Sequence, residues 1–301
     1  MQNLKWKYSK FLINENFQFS RNYVLKYLPS NLLLNSHKNI SKWKGYNPTP
    51  LLKLNKLNKK LQLKNIFYKD ESKRFHLKSF KALGGAYAVE EISKKNNWKI
   101  VQDVSSKNYR YIPQLTMAGY SILIKEISKQ TNEYITHIFL QAGVGGLAAG
   151  LVAGIAKYFK KIPKIIIVEP DRADCVLQSI KNNKLKKIRI KRESIMGGMS
   201  CNEMSLVPWQ ILKKASNCCV SISDNNVAKT VASLKDKKFS KNSIIGGECA
   251  TPGIIALIGI CNDKKARKLI SLNENSNVLV IGCEGNADVK LYKQLLSKGR
   301  K

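Results

Sequence analysis

The sequence predicts an α/β fold built around a mostly parallel sheet. Short apolar runs such as residues 137–141 and 164–168 have strand character, and helical stretches such as residues 146–159 connect them. Strands that alternate with helices in this way are typical of parallel sheets covered by helices. The chain has 301 residues, 44% of them hydrophobic, and is therefore long enough to bury a substantial core.

The organised part of the chain begins at the breaker Asn-Pro-Thr-Pro at 47–50, because residues 1–46 show no sharp periodicity and form a variable N-terminal segment. Apolar spacing of three to four residues indicates helices, and short β-branched runs between polar segments indicate strands. The predicted elements are helix 51–63, strand 65–69, helix 79–95, strand 99–103, helix 113–129, strand 137–141, helix 146–159, strand 164–168, helices 174–181 and 208–215, strand 218–222, helices 225–237 and 252–261, strand 278–281 and helix 287–296.

The strong positive charge does not by itself identify a partner. The formal charge is +33, from 53 basic and 20 acidic residues, and such a field attracts polyanions. The basic residues, however, are mostly lysines spread from end to end, and no zinc-finger, RNP-like or basic-leucine pattern is present. The composition therefore favours an enzyme over a nucleic-acid-binding protein.

The cysteines and histidines carry no metal-binding pattern. The seven cysteines are scattered without a Cys-x-x-Cys pair, and His37, His76 and His137 are isolated. They are interpreted as small buried hydrophobes and surface histidines, so no metal is expected. The odd cysteine number favours a reducing compartment, and the apolar run 143–156 is shorter than the ~20 residues of a membrane helix. We therefore expect a cytoplasmic protein with no membrane span.

The first candidate site is Lys81, within Ser-Phe-Lys-Ala-Leu-Gly-Gly at 79–85. Its apolar and small neighbours at a helix start favour a neutral amine, which is the form that bonds to an aldehyde. Lys78 is the nearest alternative, but its neighbours Leu77 and Ser79 predict a less packed setting. The competing interpretation is a generic surface lysine.

The second candidate site is the segment Gln141, Ala142, Gly143, Val144, Gly145, Gly146 and Leu147, between a predicted strand and helix. Its glycines let backbone N–H groups point at one place and the helix start adds positive potential, so the turn can hold a phosphate. Such turns also serve tight packing alone, and the spacing matches neither a nucleotide P-loop nor a dinucleotide fingerprint. Together the lysine and the turn predict a phosphorylated aldehyde, which describes pyridoxal phosphate.

Six strings, in this order along the chain from residue 47, resemble those of diaminopropionate ammonia-lyases. They are Asn-Pro-Thr-Pro-Leu at 47–51, Tyr-Lys-Asp-Glu-Ser-Lys-Arg-Phe at 68–75, Ser-Phe-Lys-Ala-Leu-Gly-Gly-Ala-Tyr-Ala at 79–88, Gln-Ala-Gly-Val-Gly-Gly at 141–146, Ile-Val-Glu-Pro-Asp at 167–171 and Glu-Gly-Asn-Ala-Asp-Val-Lys at 284–290. The second and third strings distinguish this family from threonine and serine dehydratases, which share the fold.

The resemblance implies a pyridoxal-phosphate-dependent fold of the tryptophan-synthase β type, with pyridoxal phosphate as cofactor. It implies that Lys81 binds the cofactor's aldehyde, that Phe80 flanks the ring and that residues 143–147 hold the phosphate. It also implies that Asp103 faces the substrate as a proton-transferring carboxylate. Without the resemblance, Asp103 reads as the cap of a strand-end turn.

The resemblance also implies a wall for the cofactor's ring. The segment Gly246, Gly247 and Glu248 corresponds to the part of the family that lines the ring. Cys283 is the best available group for the pyridine nitrogen, although the family pattern has hydroxyl residues there. Cys283 as a buried small hydrophobe is the equal alternative.

One block of the family pattern is missing. After residues 89–92, relatives continue through an Asp-Gly-Asn-His-Gly loop and further βα units, whereas here Ile92 precedes Asp103 by eleven residues. The missing stretch is about three βα units of ~30 residues each, most of a small domain. His76 is a further departure, because relatives have glycine there. The predicted domains are the N-terminal segment 1–46, a large cofactor-binding domain at 47–75 and 111–301, and a small-domain remnant at 76–110.

The implied reaction is the α,β-elimination of 2,3-diaminopropionate to pyruvate and ammonia by a homodimer acting on a small amino acid. Alternatives are a catalytically impaired or inactive member of the family, or another amino-acid dehydratase of the same fold. A basic module that binds nucleic acid or another polyanion is the alternative from a different class, and only the charge supports it.

Overall fold

A seven-stranded sheet in the order β1-β6-β5-β4-β7-β3-β2 organises the residues that the computed structural model describes, 4–94 and 104–301. The five inner strands run parallel, and the two edge strands β1 and β2 pair antiparallel with β6 and β3. The strands are β1 (Lys10–Ile13), β2 (Leu51–Lys53), β3 (Asn65–Asp70), β4 (His137–Gln141), β5 (Lys164–Pro170), β6 (Cys218–Ile222) and β7 (Asn277–Gly282).

Helices cover both faces of the sheet, which explains why every residue of β4, β6 and β7 is buried. The helices are α1 (Arg21–Tyr27), α2 (Ser30–Ile40), α3 (Asn55–Leu61), α4 (Lys81–Ser93), α5 (Tyr111–Tyr120), α6 (Ile122–Gln130), α7 (Gly146–Tyr158), α8 (Cys175–Lys181), α9 (Leu206–Ala215), α10 (Val227–Lys235), α11 (Pro252–Cys261), α12 (Lys264–Leu269) and α13 (Val289–Arg300). Short 3-10 turns lie at Glu71–His76, Gly197–Met199, Asp224–Asn226 and Glu248–Ala250.

Glycines bring α4, α5 and α7 into close contact. A Cβ on Gly84 of α4 would lie 2.5 Å from the carbonyl oxygen of Thr116, and one on Gly119 of α5 would lie 2.5 Å from that of Leu83. A Cβ on Gly150 of α7 would lie 2.4 Å from the carbonyl oxygen of Met117. Since no side chain fits at these contacts, α4, which begins with Lys81, is held at a set distance from α7, which begins at the glycine turn.

A buried network of charges holds the segment that follows β3. Both Nη atoms of Arg74 donate to the Glu126 carboxylate at 2.9 Å, and its Nε donates to Glu71 at 2.9 Å. Lys69 completes the network, with Nζ at 2.5 Å from Glu126 and 2.8 Å from the Thr49 carbonyl oxygen. The network ties the polar run after β3 to α6 and to the chain before β2.

The structure corrects several predicted elements. Residues 51–63 are not one helix, because 51–53 pair with β3 as an edge strand before α3 begins. The predicted helix 113–129 is two helices, which meet at Ser121. Residues 1–46 are not featureless, since they contain β1, α1 and α2. The predicted strand 99–103 lies outside the described residues.

Two of the three histidines are buried rather than at the surface. The ring nitrogens of His37 form hydrogen bonds with the hydroxyl groups of Ser121 and Tyr158. Burial lowers the pKa of His37 to about 3. His137 contacts the Ile270 carbonyl oxygen at 2.8 Å. Both are neutral core residues with hydrogen-bond partners. Within residues 4–94 and 104–301, no helix has the length and apolarity required to cross a membrane.

Candidate active site

The candidate site lies where the carboxyl ends of β3, β4 and β7 meet. These strands are parallel, so the segments that follow them emerge at one edge of the sheet. After β3 comes the segment that leads to Lys81, after β4 the glycine turn, and after β7 the segment Cys283–Gly285. Ligands of open parallel sheets bind at this kind of edge.

Backbone hydrogen bonds join the lysine segment to the end of β7. The Phe80 N–H donates to the Cys283 carbonyl oxygen at 3.1 Å, and the Gly285 N–H donates to that of Lys78 at 2.8 Å. Ser79 and Glu284 form an antiparallel bridge between these two bonds. The start of α4, and with it Lys81, is therefore held against the strand end.

The same segment stores backbone strain. Phe75, His76 and Lys78 have φ values of 47°, 59° and 60°, which lie in the left-handed region. Each such non-glycine residue costs roughly 1–2 kcal/mol. The positive φ of His76 explains why glycine suits this position, because glycine adopts such angles without strain. The strain also indicates that the segment is held from both sides, by the Arg74 network upstream and the β7 contacts downstream.

Lys81 and the glycine turn line one cavity of about 740 Å³. This volume falls in the range of roughly 300–1,000 Å³ typical of ligand pockets. Its walls are formed by Phe80, Lys81, Gly85, Val104, Thr116, Tyr120, Gln141, Ala142, Gly143, Val144, Gly145, Gly146, Leu147 and Gly198. The structure thus brings the two predicted site segments together, although they are some 60 residues apart in the sequence.

The glycine turn is shaped to present its backbone. Gly145 has φ +94° and caps α7, a 13-residue helix that begins at Gly146. A Cβ on Gly145 would lie 2.8 Å from Pro208 Cβ, and one on Gly143 would lie 2.9 Å from Cys201 Sγ. The first N–H groups of a helix have no intrahelical partners, so this turn can bind an anion.

The surroundings of Lys81 differ from those predicted. Lys81 is exposed and Lys78 is half-buried, the reverse of the expected packing. Lys81 is exposed because the cavity opens beside it, at the first residue of α4, where the sequence predicts that apolar neighbours bury the side chain. A Cβ built on Gly198 would lie 3.6 Å from Lys81 Nζ, so the 3-10 turn Gly197–Met199 borders the amine.

Three predicted cofactor contacts do not line the cavity. Gly247 packs against the end of β7, with its N–H donating to the Glu284 carbonyl oxygen at 3.1 Å. Glu248 follows it, and burial and the nearby Glu284 raise the pKa of Glu248 to about 7. The Cys283 thiol donates to the Cys249 carbonyl oxygen at 3.1 Å. Their cofactor contacts remain predictions, as does the role of Asp103, which lies outside the described residues.

The ligand atoms of Glu248, Cys249 and Glu284 lie within 4.8 Å of one another. Their chemistry does not favour a metal ion, because Glu284 already accepts the Cys249 N–H at 3.1 Å and burial raises the pKa of the Cys249 thiol well above its ordinary value. The group is better described as a hydrogen-bonded layer behind the cavity.

Several cavity residues were given no role of their own by the sequence. Gln141 is buried, and its Nε2 donates to the carbonyl oxygens of Cys249 and Ile281. Tyr120 packs edge-on against Phe80 with ring centroids 4.9 Å apart. The Gly-Gly pair at 197–198 is a sequence signal for a turn, and the structure places Gly198 of this turn beside Lys81.

These residues fit pyridoxal phosphate. The cavity offers a primary amine for the aldehyde and an aromatic side chain, Phe80, for the ring. For the phosphate it offers a helix N-terminus preceded by Gly143 and Gly145, where an added Cβ would lie within 3 Å of neighbouring atoms. The amine, the glycine turn and the aromatic side chain each match one part of the cofactor.

Comparison with known proteins identifies the class. The profile of the family "Pyridoxal-phosphate dependent enzyme" matches residues 91–284, more than half of the chain, and this chain belongs to that family. Pyridoxal phosphate is its cofactor, and the predicted fold class of the tryptophan-synthase β type is confirmed.

Within the family, the resemblance to diaminopropionate ammonia-lyases is confirmed. The chain is 26% identical to the Escherichia coli enzyme over 353 residues, covering 85% of this chain and 89% of that protein. It is 30% identical to the Salmonella typhimurium enzyme over 224 residues, covering 70% of this chain and 55% of that one. The first alignment is longer than this chain of 301 residues, so residues of the relative inside the matched span have no counterpart here.

A solved structure supports the same relationship. The Escherichia coli diaminopropionate ammonia-lyase in complex with an aminoacrylate-PLP azomethine reaction intermediate superposes with a TM-score of 0.86 at 25% identity. The match covers 98% of this chain and 99% of that chain.

Proposed function

We propose that this pyridoxal-phosphate dependent protein is a lyase that converts 2,3-diaminopropionate to pyruvate and ammonia by α,β-elimination. The observation that carries the proposal is that Lys81, in its Phe-Lys-Ala-Leu-Gly-Gly setting, lines one cavity with the Gly143–Gly146 turn. The similarity to the Escherichia coli and Salmonella typhimurium enzymes supports this substrate over serine or threonine.

The residues of the site take the following roles in the proposal. The turn from Gly143 to Leu147 binds the phosphate through its N–H groups, and Phe80 packs beside the ring. Bound pyridoxal phosphate supplies an electron sink for the amino acid's Cα. Lys81 would hold the aldehyde, and its amine, when free, would be placed to take the Cα proton. Asp103 is the second candidate for that base.

The first experiment tests the lysine. Borohydride reduction of the cofactor-loaded protein followed by mass spectrometry should place the label on Lys81, because Lys81 borders the cavity. Lys78 is the internal control, since it lies three residues away and does not line the cavity. A label on Lys78 would show that the assignment is wrong. Visible absorbance with and without added cofactor reports loading in the same samples.

The second experiment tests the substrate. Pyruvate formation is measured with diaminopropionate, serine and threonine at equal concentrations of loaded protein. A preference for diaminopropionate is expected. A preference for serine or threonine would instead make the protein a dehydratase of the same fold.

A catalytically impaired protein is the second candidate function, and the alignment favours it. Residues of the longer relative have no counterpart here, and we assign them to the small domain, leaving 76–110 as a remnant beside the large domain at 47–75 and 111–301. A domain that closes over substrate excludes water and positions the reacting bond, and its loss costs orders of magnitude in rate.

Comparing the native chain with a chimera separates an active lyase from a catalytically impaired protein. A relative's block inserted between Ile92 and Lys99 should raise pyruvate formation from diaminopropionate well above that of the native chain. If the native chain already matches the relative, the block is dispensable. We further propose that the protein is cytoplasmic and forms a homodimer. Light scattering of the purified protein tests the dimer.

A further inference from the structure

We propose that a basic groove beside the cofactor cavity attracts the phosphate of incoming pyridoxal phosphate and guides it to the glycine turn. This basic groove has a volume of about 980 Å³ and is lined by Lys187 and Arg189 together with residues 200–203. The inference rests on the cofactor placement proposed above, with the aldehyde at Lys81 and the phosphate at Gly143–Gly146.

The basic groove adjoins the cavity at the glycine turn. Val104 and Val144 line both spaces, and Val144 belongs to the turn itself. Cys201 of the groove lies against the same turn, because a Cβ added to Gly143 would be 2.9 Å from the Cys201 Sγ. A ligand that moves along the groove therefore reaches the cavity beside the backbone N–H groups that are proposed to bind the phosphate.

Positive charge is concentrated on the segment 184–192, which forms part of the groove. Six of its nine residues are basic, whereas the whole chain has 53 basic residues in 301. The six are Lys184, Lys186, Lys187, Arg189, Lys191 and Arg192. All but Lys186 are exposed, and among residues 4–94 and 104–301 none of the six forms a salt bridge. Their charge therefore acts on the solvent in and around the groove.

Backbone and apolar contacts hold these charges at the groove. Lys187 and Arg189 are exposed, whereas the adjacent Ile188 and Ile190 are half-buried. The Ile188 N–H donates to the carbonyl oxygen of Asn202, another residue of the groove, at 2.8 Å. The isoleucines thus anchor the segment, and the basic side chains between them remain accessible to a ligand.

The phosphate is the part of the cofactor that such a field attracts. A phosphate monoester carries about −1.5 to −2 charges near neutral pH. The acidic residues that line the groove are Glu193 and Glu203, so the six basic residues of the adjoining segment outnumber them. A cleft with an excess of one charge raises the association rate of an oppositely charged ligand by roughly 10–10³-fold. We therefore expect the groove to accelerate cofactor binding.

Rapid mixing of apoprotein with pyridoxal phosphate, followed by absorbance, gives the second-order rate constant for binding. The charge reversal Lys187→Glu with Arg189→Glu should lower this rate constant at least roughly tenfold at low salt, because it replaces attraction by repulsion along the route. The cofactor's dissociation rate should change much less, since neither residue lines the cavity that holds the bound cofactor.

The matched control variant is Lys264→Glu with Lys268→Glu, which changes the net charge by the same amount. Both lysines are exposed on α12, and the Ile270 carbonyl oxygen just after this helix contacts His137 at the amino end of β4. The control charges therefore lie at the edge of the sheet opposite the cavity. An equal loss of rate in this variant would overturn the inference, because net charge alone would then explain the effect.

Pyridoxal, which lacks the phosphate, is the matched control ligand. Its binding rate should be nearly the same in wild type and in the charge reversal at Lys187 and Arg189, since it has no phosphate for the groove to attract. If the charge reversal slows pyridoxal as much as it slows pyridoxal phosphate, the groove does not act on the phosphate and the inference is wrong.

Salt dependence gives a second decision on the wild-type protein, which holds even if the charge reversal does not fold. Raising the salt concentration from about 20 mM to about 300 mM screens the field, so the rate should fall steeply for pyridoxal phosphate and little for pyridoxal. Equal salt dependence for the two ligands would contradict the groove.

Borohydride labelling of the same samples separates this inference from the proposed function. A label away from Lys81 contradicts the proposed cofactor placement. A label on Lys81, with a binding rate that neither salt nor the charge reversal changes, contradicts the role of the basic groove alone.

Discussion

Glu126 should be among the most sensitive positions for stability. Its carboxylate is 4% exposed and contacts Arg74 and Lys69, which are themselves 1% and 0% exposed. Burial raises the pKa of Glu126, but the hydrogen bonds and charges of Arg74 and Lys69 outweigh burial and hold that pKa below its ordinary value. The carboxylate is therefore charged, and its charge balances the network.

The variant Glu126→Gln keeps the shape of the side chain and removes the charge. Lys69 and Arg74 then face only Glu71 in the buried network, so one positive charge is left without a counterpart. Removing one partner of a buried ion pair costs about 3–5 kcal/mol. We expect the free energy of unfolding to fall by that amount.

Urea unfolding, followed by circular dichroism and tryptophan fluorescence, measures this loss. The matched control is the double variant Lys69→Met with Glu126→Gln, which restores the charge balance because Arg74 and Glu71 remain. The double variant should be more stable than Glu126→Gln alone. A loss below about 1 kcal/mol for Glu126→Gln, or additive losses in the double variant, would refute the role of the network.

Three further predictions concern the site and its approach. Gly145→Asp should weaken cofactor affinity at least roughly tenfold more than Gly145→Ala, because both variants carry the strain at φ +94° but only Asp opposes the phosphate charge; equal affinities in a cofactor titration would contradict the phosphate turn. His76→Gly should raise the free energy of unfolding by about 1 kcal/mol, because it relieves the strain at φ +59°. The control Leu77→Gly, at φ −82°, should lower the free energy of unfolding. Urea unfolding that shows no gain for His76→Gly would argue against strain at this position. The pKa of Glu248 is raised from 4.5 to about 7, first by burial and then by Glu284. The stability that its protonated form provides is therefore full below pH 4.5 and is lost as pH rises through about 7. Glu248→Gln should flatten this part of the curve of unfolding free energy against pH in the apoprotein, and an unchanged curve would show that Glu248 is not its source.

Local patterns in the sequence predicted the central strands closely. The strands 137–141 and 218–222 and the helix 252–261 have the predicted bounds, because buried parallel strands and apolar helices are encoded by runs of neighbouring residues. The same holds for the two site segments. A lysine at a helix start and a glycine turn between strand and helix are each readable within about seven residues.

Long-range contacts could not be predicted in the same way. The edge strand β1 pairs Lys10 with Ser221, and a four-residue strand has too little pattern of its own to indicate such a partner. The break between α5 and α6 at Ser121 and the strand character of residues 51–53 likewise depend on what the chain packs against.

By itself, the sequence determined the order of the central strands and the helices between them, the two segments of the site and their likeness to a cofactor-binding family. Each of these is carried by residues adjacent in the chain. The tertiary structure alone decided which groups face the cavity. It turned Cys283 toward the Cys249 carbonyl oxygen, left Lys81 open to the cavity, and gave Gln141 two carbonyl partners while its own oxygen stayed unpaired. Hydrogen-bond pairing across three strand ends depends on their register and spacing, which arise only when the sheet has formed.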